Sequence, residues 1–335
     1  NERMERYFEA LRGKRVAVLG LGVSNRPLVR LLLAHGAQVL GCDMAQRDQL
    51  EPEVLELEQQ GLQLQLGPDY LENVTADVVF RTPGLHPNRP QLVDMRRRGM
   101  VMTSEMEAFF QVCPCTIIAV TGSDGKTTTT TLIAEILKRA GRTVWVGGNI
   151  GQPLLPKAGE MNPADVAVVE LSSFQLMDME HSPKVAVLTN LAPNHLDVHK
   201  DMAEYVAAKE NIYLHQTAGD TVVLNRDNEI THSFVPKAKG TVLEFSRRTR
   251  PQRGVYLEDG VIWRCGEPPE KILEQSEIFL PGIHNVENYM AAICAVEGLA
   301  SDEDIRHVAR NFGGVEHRIE LVRVKDGVKF YNDSI

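Results

Sequence analysis

The chain has 335 residues, 43% of them apolar and 24% charged, with a formal net charge of −9. That length predicts two or three domains, and the composition is that of an ordinary soluble globular protein. The acidic balance argues against general binding to nucleic acid or to a membrane surface, and no apolar run reaches the roughly 18 residues of a membrane span.

The basic runs Arg96–Arg98 and Arg247–Arg253 therefore read as solvated faces. Five cysteines, Cys42, Cys113, Cys115, Cys265 and Cys294, form no CxxC pair and no metal-ligand spacing. They suit reduced thiols in a cytoplasm. No signal peptide is expected, and numbering from Asn1 leaves the genetic start open upstream.

The first predicted strand is Arg15–Leu19, followed by the turn Gly20-Leu21-Gly22-Val23-Ser24-Asn25 and a helix over Arg26–His35. A second strand, Gln38–Gly41, ends at Asp43. This βαβ opening, with a G-x-G turn and an acid about 20 residues later, has the layout of a dinucleotide-binding fingerprint. Asn25 stands where the third glycine would be, so the pattern predicts a Rossmann-like sheet more firmly than a nicotinamide. Asp77–Phe80 is a further strand, running into Arg81-Thr82-Pro83-Gly84. That turn is either a plain tight turn or part of a ligand crevice, because open α/β sheets bind beyond the carboxyl ends of their strands.

A helix over Ser104–Gln111 and the Cys113-Pro114 connection place a domain boundary near residues 108–114. The strand Ile117–Val120 then leads into Gly122-Ser123-Asp124-Gly125-Lys126-Thr127-Thr128 and an amphipathic helix stopped at Gly141. Glycines there let the main chain approach phosphate oxygens. Lys126 can neutralise the outer phosphates, and the Thr127 hydroxyl can ligate Mg²⁺. The usual first glycine of a phosphate loop falls at Val120, so the motif alone is incomplete. Further strands are expected at Thr143–Val146, Asp165–Glu170, Lys184–Asn190 and Asp220–Asn225, alternating with helices as a parallel sheet requires. The stretch Thr241–Ile262, with the turn Glu258-Asp259-Gly260, predicts a hairpin excursion.

Glu170 ends a buried strand and is either a surface acid or the carboxylate of a nucleotide-bound Mg²⁺. His195 follows the strand Val185–Leu191, with Asp197 near enough in sequence to orient it. It is either solvated or a metal or substrate residue. Asp201–Gln216 reads as a helix whose apolar stripe is Met202, Tyr205, Val206, Ile212 and Tyr213, and Lys209 falls in the middle of that stripe. A lysine there snorkels, pairs or changes its charge. Were it to point into a metal site, an ammonium about 5 Å from Mg²⁺ would be repelled by about 6–7 kcal/mol at an effective dielectric near 20. Carbamylation by CO₂ would turn it into an anionic oxygen ligand.

TGSDGKTTT, VGGNIG, VVELSSFQL, NHLD, AAKENIY, LPGIHNVEN and EHR occur in an order that resembles the Mur ligase family, over nearly the whole chain. ELSSFQL and RTPG resemble its D-glutamate-adding branch. The resemblance implies an ATP-dependent amide ligase of peptidoglycan synthesis. In that branch ATP would phosphorylate the terminal carboxylate of UDP-N-acetylmuramoyl-L-alanine, the amine of D-glutamate would attack the acyl phosphate, and phosphate would leave from the tetrahedral intermediate. By resemblance, Gly122–Thr128 would hold ATP, with Lys126 on the transferred phosphate and Thr127 and Glu170 on its Mg²⁺. Lys209, carbamylated, and His195 would hold a second Mg²⁺, and Lys126, Glu170, His195 and Lys209 would be the catalytic set. Asn285, Asn288, Arg318 and Asp333 would contact the nucleotide. Leu21, Gly22, Val23, Ser24, Asp43, Thr82 and Gly84 would bind the uridine diphosphate end, with Asn149, Ser172, Gln175 and His195 toward the rest of that substrate. The expected protein is a cytoplasmic monomer.

The implied architecture is α/β. A Rossmann-like UDP-substrate domain spans 1–110 and a phosphate-loop ATPase domain with a mostly parallel sheet spans 111–313. The first strand of a third, Rossmann-like domain spans 314–335. The chain is thus expected to be a fragment that binds the UDP substrate without completing ligation, the D-glutamate seat lying beyond Ile335. Asp124 replaces a common asparagine, Met44-Ala45 a common polar pair, and Ile335 a common lysine. Another Mur ligase or a folylpolyglutamate synthase is the nearest alternative. An NAD-dependent oxidoreductase would leave the phosphate loop, Glu170, His195 and Lys209 without purpose.

Overall fold

A computed structural model describes residues 1–148, 152–192 and 202–314. The chain divides into two compact units, one made of Asn1–Pro114 with Gln152–Asn162, the other of the remainder. Among the described residues no helix is long and apolar enough to cross a membrane.

The first unit runs α1 (Glu2–Glu9), β1 (Arg15–Leu19), α2 (Asn25–Ala34), β2 (Gln38–Asp43), α3 (Pro52–Gln59), β3 (Gln63–Leu66), β4 (Val78–Arg81), α4 (Pro90–Arg97), β5 (Val101–Thr103) and α5 (Glu105–Val112). Its five strands are ordered β3-β2-β1-β4-β5, and every pair is parallel. The order reverses at β1, so the turns after β1 and β4 flank the point where an open sheet offers a crevice. Ala17 and Leu19 of β1 and Val79 of β4 share one buried cluster with Leu92 and Met95 of α4. The excursion 152–162 belongs to this unit. Leu154, Leu155, Ala158 and Met161 are buried, and Asn1 Nδ2 donates to the Ala158 carbonyl at 3.1 Å.

The second unit runs β6 (Thr116–Thr121), α6 (Lys126–Arg139), β7 (Val144–Gly148), β8 (Val166–Glu170), α7 (Ser173–Leu176), β9 (Val185–Leu188), α8 (Met202–Leu214), β10 (Thr221–Asn225) and α9 (Glu229–His232). It continues with β11 (Thr241–Ser246), β12 (Gly254–Glu258), β13 (Val261–Arg264), β14 (Glu270–Glu274), α10 (Ile283–Ala295) and α11 (Asp302–Asn311). The nine strands are ordered β14-β13-β12-β11-β10-β9-β6-β8-β7. The sheet is parallel from β7 to β12 and antiparallel at β13 and β14. The expected hairpin is therefore confined to β12–β13, turning at Asp259 and Gly260, while Thr241–Ser246 continues the parallel sheet beside β10. The core lies between this sheet and helices α6, α10 and α11, with Ile118, Val120, Leu132, Ile136, Val168 and Tyr289 fully buried.

Candidate active site

Strands β8, β6 and β9 are neighbours and parallel, so their carboxyl ends open on one edge of the sheet. Val120 pairs with Glu170 across β6–β8, and Thr121 with Leu188 across β6–β9. Three consecutive polar turns are thereby brought together, after Thr121, after Glu170 and after Leu188.

The phosphate loop is shaped by two glycines that nothing larger could replace. Gly122 has φ +153°, and a Cβ there would overlap the Thr189 hydroxyl. Gly125 caps α6 in the left-handed region at φ +80°. The loop is tied from the β9 side. Ser123 N donates to Asn190 O at 2.8 Å, Asp124 N to Asn190 Oδ1 at 3.0 Å, and Thr189 Oγ1 to the Asp124 carbonyl at 2.7 Å. The amides of Ser123 and Asp124 thus organise the loop itself. The first turn of α6 (Lys126, Thr127 and Thr128) is where a helix has amides without intrahelical partners and a positive dipole end.

Thr127 and Glu170 meet beneath that turn. The Thr127 hydroxyl donates to both Glu170 oxygens at 3.0 Å, and both residues are buried. A hydroxyl and a carboxylate so placed are hard oxygen donors of the kind Mg²⁺ takes, and the residues fit that ion. Gly148, at the end of β7, has φ +104°, and a Cβ there would overlap the Glu170 carbonyl, so the glycine lets β7 close on the carboxylate's backbone. Among the described residues one cluster of three conventional ligand types, Glu5, Glu9 and His35, lies in the other unit. Glu9 there is already paired with Arg12 at 2.7 Å.

Lys209 reaches this loop from α8. It is 3% exposed, and its ammonium donates to Thr121 Oγ1 at 2.7 Å and to the Gly122 carbonyl at 3.3 Å. Of the two sequence readings, the inward one is the one observed. Burial lowers the amine from 10.5 to about 7; the charge of Lys126 pushes the same way, and Glu170 opposes it.

Two more of the expected nucleotide residues, Asn285 and Asn288, stand on α10. Asn288 is buried; its Oδ1 accepts from Thr129 Oγ1 at 3.3 Å, and its Nδ2 donates to Asn285 Oδ1 at 3.3 Å. Ser172 and Gln175 form a capping box on α7, with Gln175 N donating to Ser172 Oγ at 3.2 Å and Ser172 N to Gln175 Oε1 at 3.0 Å. Asn149, His195, Arg318 and Asp333 lie outside the described residues, as does the expected third-domain strand after Gly314.

In the first unit, Asp43 is spent largely on its own neighbourhood. Its two oxygens accept from Leu21 N at 2.8 Å and Ala45 N at 2.9 Å, which fixes the Gly20–Ser24 turn to the end of β2. Asn25 is buried, and its side-chain amide donates to the Gly20 carbonyl at 2.9 Å, closing the turn that a third glycine would otherwise make. Gly20 has φ +100°, and a Cβ would come within 3.2 Å of Thr82, so the turns after β1 and β4 adjoin. Gly22, Val23, Ser24 and Gly84 remain exposed around them.

Residues 120–296 match the model of the Mur ligase middle domain. The UDP-N-acetylmuramoylalanine–D-glutamate ligase of Acetivibrio thermocellus is 49% identical over the whole of this chain, which spans 72% of that relative. The chain belongs to the Mur ligase family. The ligase of the same description from Ruminiclostridium cellulolyticum is 47% identical, with the same coverage. Among solved structures, a murein peptide ligase from Psychrobacter arcticus superposes with a TM-score of 0.56 at 20% identity, covering 92% of this chain and 70% of that one. The UDP-N-acetylmuramate:L-alanyl-gamma-D-glutamyl-meso-diaminopimelate ligase from Neisseria meningitides gives 0.57 at 19% identity, covering 90% and 99%. These structural likenesses concern the fold alone, an α/β chain with mostly parallel sheets.

Sequence reasoning missed Thr121, Thr189, Asn190 and Tyr205. The first three follow from strand ends already recognised. In the sequence Tyr205 reads only as part of an apolar stripe, although its spacing of four residues from Lys209 puts both on one helix face.

Proposed function

We propose that this chain is the nucleotide- and UDP-substrate-binding part of an ATP-dependent ligase that joins D-glutamate to UDP-N-acetylmuramoyl-L-alanine. The observation that carries this reading is the convergence of Gly122–Thr128, Glu170 and Lys209 at one sheet edge, in a chain half identical to ligases of that description. Lys126 neutralises the transferred phosphate, and the α6 amides hold the phosphate oxygens. Thr127 and Glu170 hold one Mg²⁺; Lys209, as a carbamate, and His195 hold a second. Bound Mg²⁺ supplies charge neutralisation at the phosphoryl oxygens. Asn285, Asn288, Arg318 and Asp333 hold the nucleotide.

Leu21–Ser24, Asp43, Thr82 and Gly84 hold the uridine diphosphate end, and Asn149, Ser172 and Gln175 serve the rest of that substrate. On this reading residues 1–110 and 111–313 are the UDP-substrate and ATPase domains of a cytoplasmic, monomeric enzyme. Burial favours the neutral amine of Lys209, which is the form that reacts with CO₂.

The test is phosphate release by an intact protein containing this chain, given ATP and UDP-N-acetylmuramoyl-L-alanine. D-Glutamate is expected to drive release, with L-alanine, L-lysine and meso-diaminopimelate near background. Equal release with another amino acid would reject the specificity while leaving the family assignment in place.

A further inference from the structure

Helix α8 is stitched to the phosphate loop at two adjacent points. Lys209 makes one, through Thr121 and the Gly122 carbonyl. Tyr205, one turn earlier on the same face, makes the other, with its hydroxyl 2.5 Å from Ser123 Oγ. Ser123 Oγ also accepts the amide N–H of Ala192 at 2.9 Å, so one buried hydroxyl joins α8, the phosphate loop and the segment leaving β9.

The two stitches respond differently to the chemistry proposed for Lys209. A lysine amine or ammonium donates to the Gly122 carbonyl and the Thr121 hydroxyl. Carbamylation leaves a single N–H on Nζ and adds an anionic carboxylate beside it, so the two donations to Thr121 and Gly122 cannot both be kept. The Tyr205–Ser123 bond involves no group that changes. Burial also pushes the Tyr205 phenol up, so it keeps its proton.

We propose that Tyr205 is a positioning residue for nucleotide binding, acting through Ser123 to hold the phosphate loop on α8 whichever form Lys209 takes. The Tyr205 and Ser123 hydroxyls share a hydrogen bond in which either can donate, and the Ala192 amide donates to the same serine oxygen, so Ser123 is held from α8 and from the segment after β9 at once. This rests on the nucleotide reading of the loop given above.

Tyr205→Phe keeps the buried ring and removes only the hydroxyl. The experiment measures dissociation constants of Mg·ATP by calorimetry for the full chain, the variants Tyr205→Phe and Ser123→Ala, and the double variant, with melting temperatures recorded alongside. Each single change is expected to weaken binding about fivefold to tenfold, the worth of one buried hydrogen bond. In the Ser123→Ala background, Tyr205→Phe is expected to add less than about twofold, because the tyrosine acts through that serine. Binding by Tyr205→Phe within about twofold of the parent, or effects that multiply in the double variant, would overturn the proposal even if melting temperatures fall. A parent chain that binds no Mg·ATP would instead bring down the nucleotide reading, and this proposal with it.

Discussion

Gly125 and Asn288 leave no room for a side chain between them. A Cβ on Gly125 would run into Asn288 Oδ1, the same atom that accepts from Thr129. The loop glycine and the α10 asparagine are thus fitted to one another across a sequence separation of more than 160 residues, beside the apolar core that α6 and α10 share. Gly125→Ala meets two costs. The left-handed φ of +80° strains any residue with a Cβ by about 1–2 kcal/mol. The Asn288 amide must also swing away, breaking its bonds to Thr129 and Asn285. The expected result is a stability loss of about 1–3 kcal/mol and Mg·ATP binding weakened at least about tenfold. Urea denaturation and nucleotide titration check these; an unchanged affinity would mean that α10 does not help shape the nucleotide site.

The Thr127–Glu170 pair makes a sharper prediction, because the carboxylate is fully buried. Thr127→Val preserves shape and removes a donor from a buried charge, a loss of about 1–3 kcal/mol. It also removes one of the two oxygens proposed for the metal, so Mg²⁺-dependent ATP binding is expected to fall at least about tenfold. Thr127→Ser keeps the hydroxyl and should bind within about threefold of the parent. If valine and serine behave alike, the hydroxyl has no part in binding.

Much of this site was legible because strong periodicity and glycine punctuation survive without tertiary context. The β1–α2–β2 opening, the strand–turn–helix around Gly122–Lys126 and the inward stripe carrying Lys209 all appear where patterning placed them. What was not legible has local physical reasons. A short strand-like run such as Thr241–Ser246 carries no sign of strand direction. The connection 247–253 is also far shorter than the dozen or so residues usual between parallel strands, which made a hairpin the natural reading. Residues 152–162 join the first unit through Leu154, Leu155, Ala158 and Met161, whose helical spacing marks a buried face without saying which unit it packs on. Asn25 looked like a defect in a glycine motif, yet its side chain supplies the bond that closes the turn. Tyr205 was hidden because a tyrosine in an apolar stripe is read by its ring, and only coordinates reveal where its hydroxyl goes.

Lys209 gives the fold a pH dependence whose sign follows from its lowered basicity, about 7 in the folded chain against 10.5 ordinarily. Below about pH 7 the folded chain carries a buried ammonium, and its cost is fully present. Between about 7 and 10.5 the unfolded chain binds that proton while the folded chain does not, so this contribution to stability grows with rising pH and levels off above the unfolded value. Lys209→Met, which has no proton to bind, should flatten that rise in metal-free buffer. The same shift governs reaction with CO₂, in which the neutral amine forms an N–C bond and one proton is released to solvent. With dissolved ¹³CO₂ held constant, a carbamate carbon signal in the NMR spectrum is expected to grow as pH passes through about 7 and to be missing from Lys209→Met. A signal that emerges only near pH 10, or that survives the methionine substitution, would assign it to surface lysines and remove the chemical basis for a carbamate at this position.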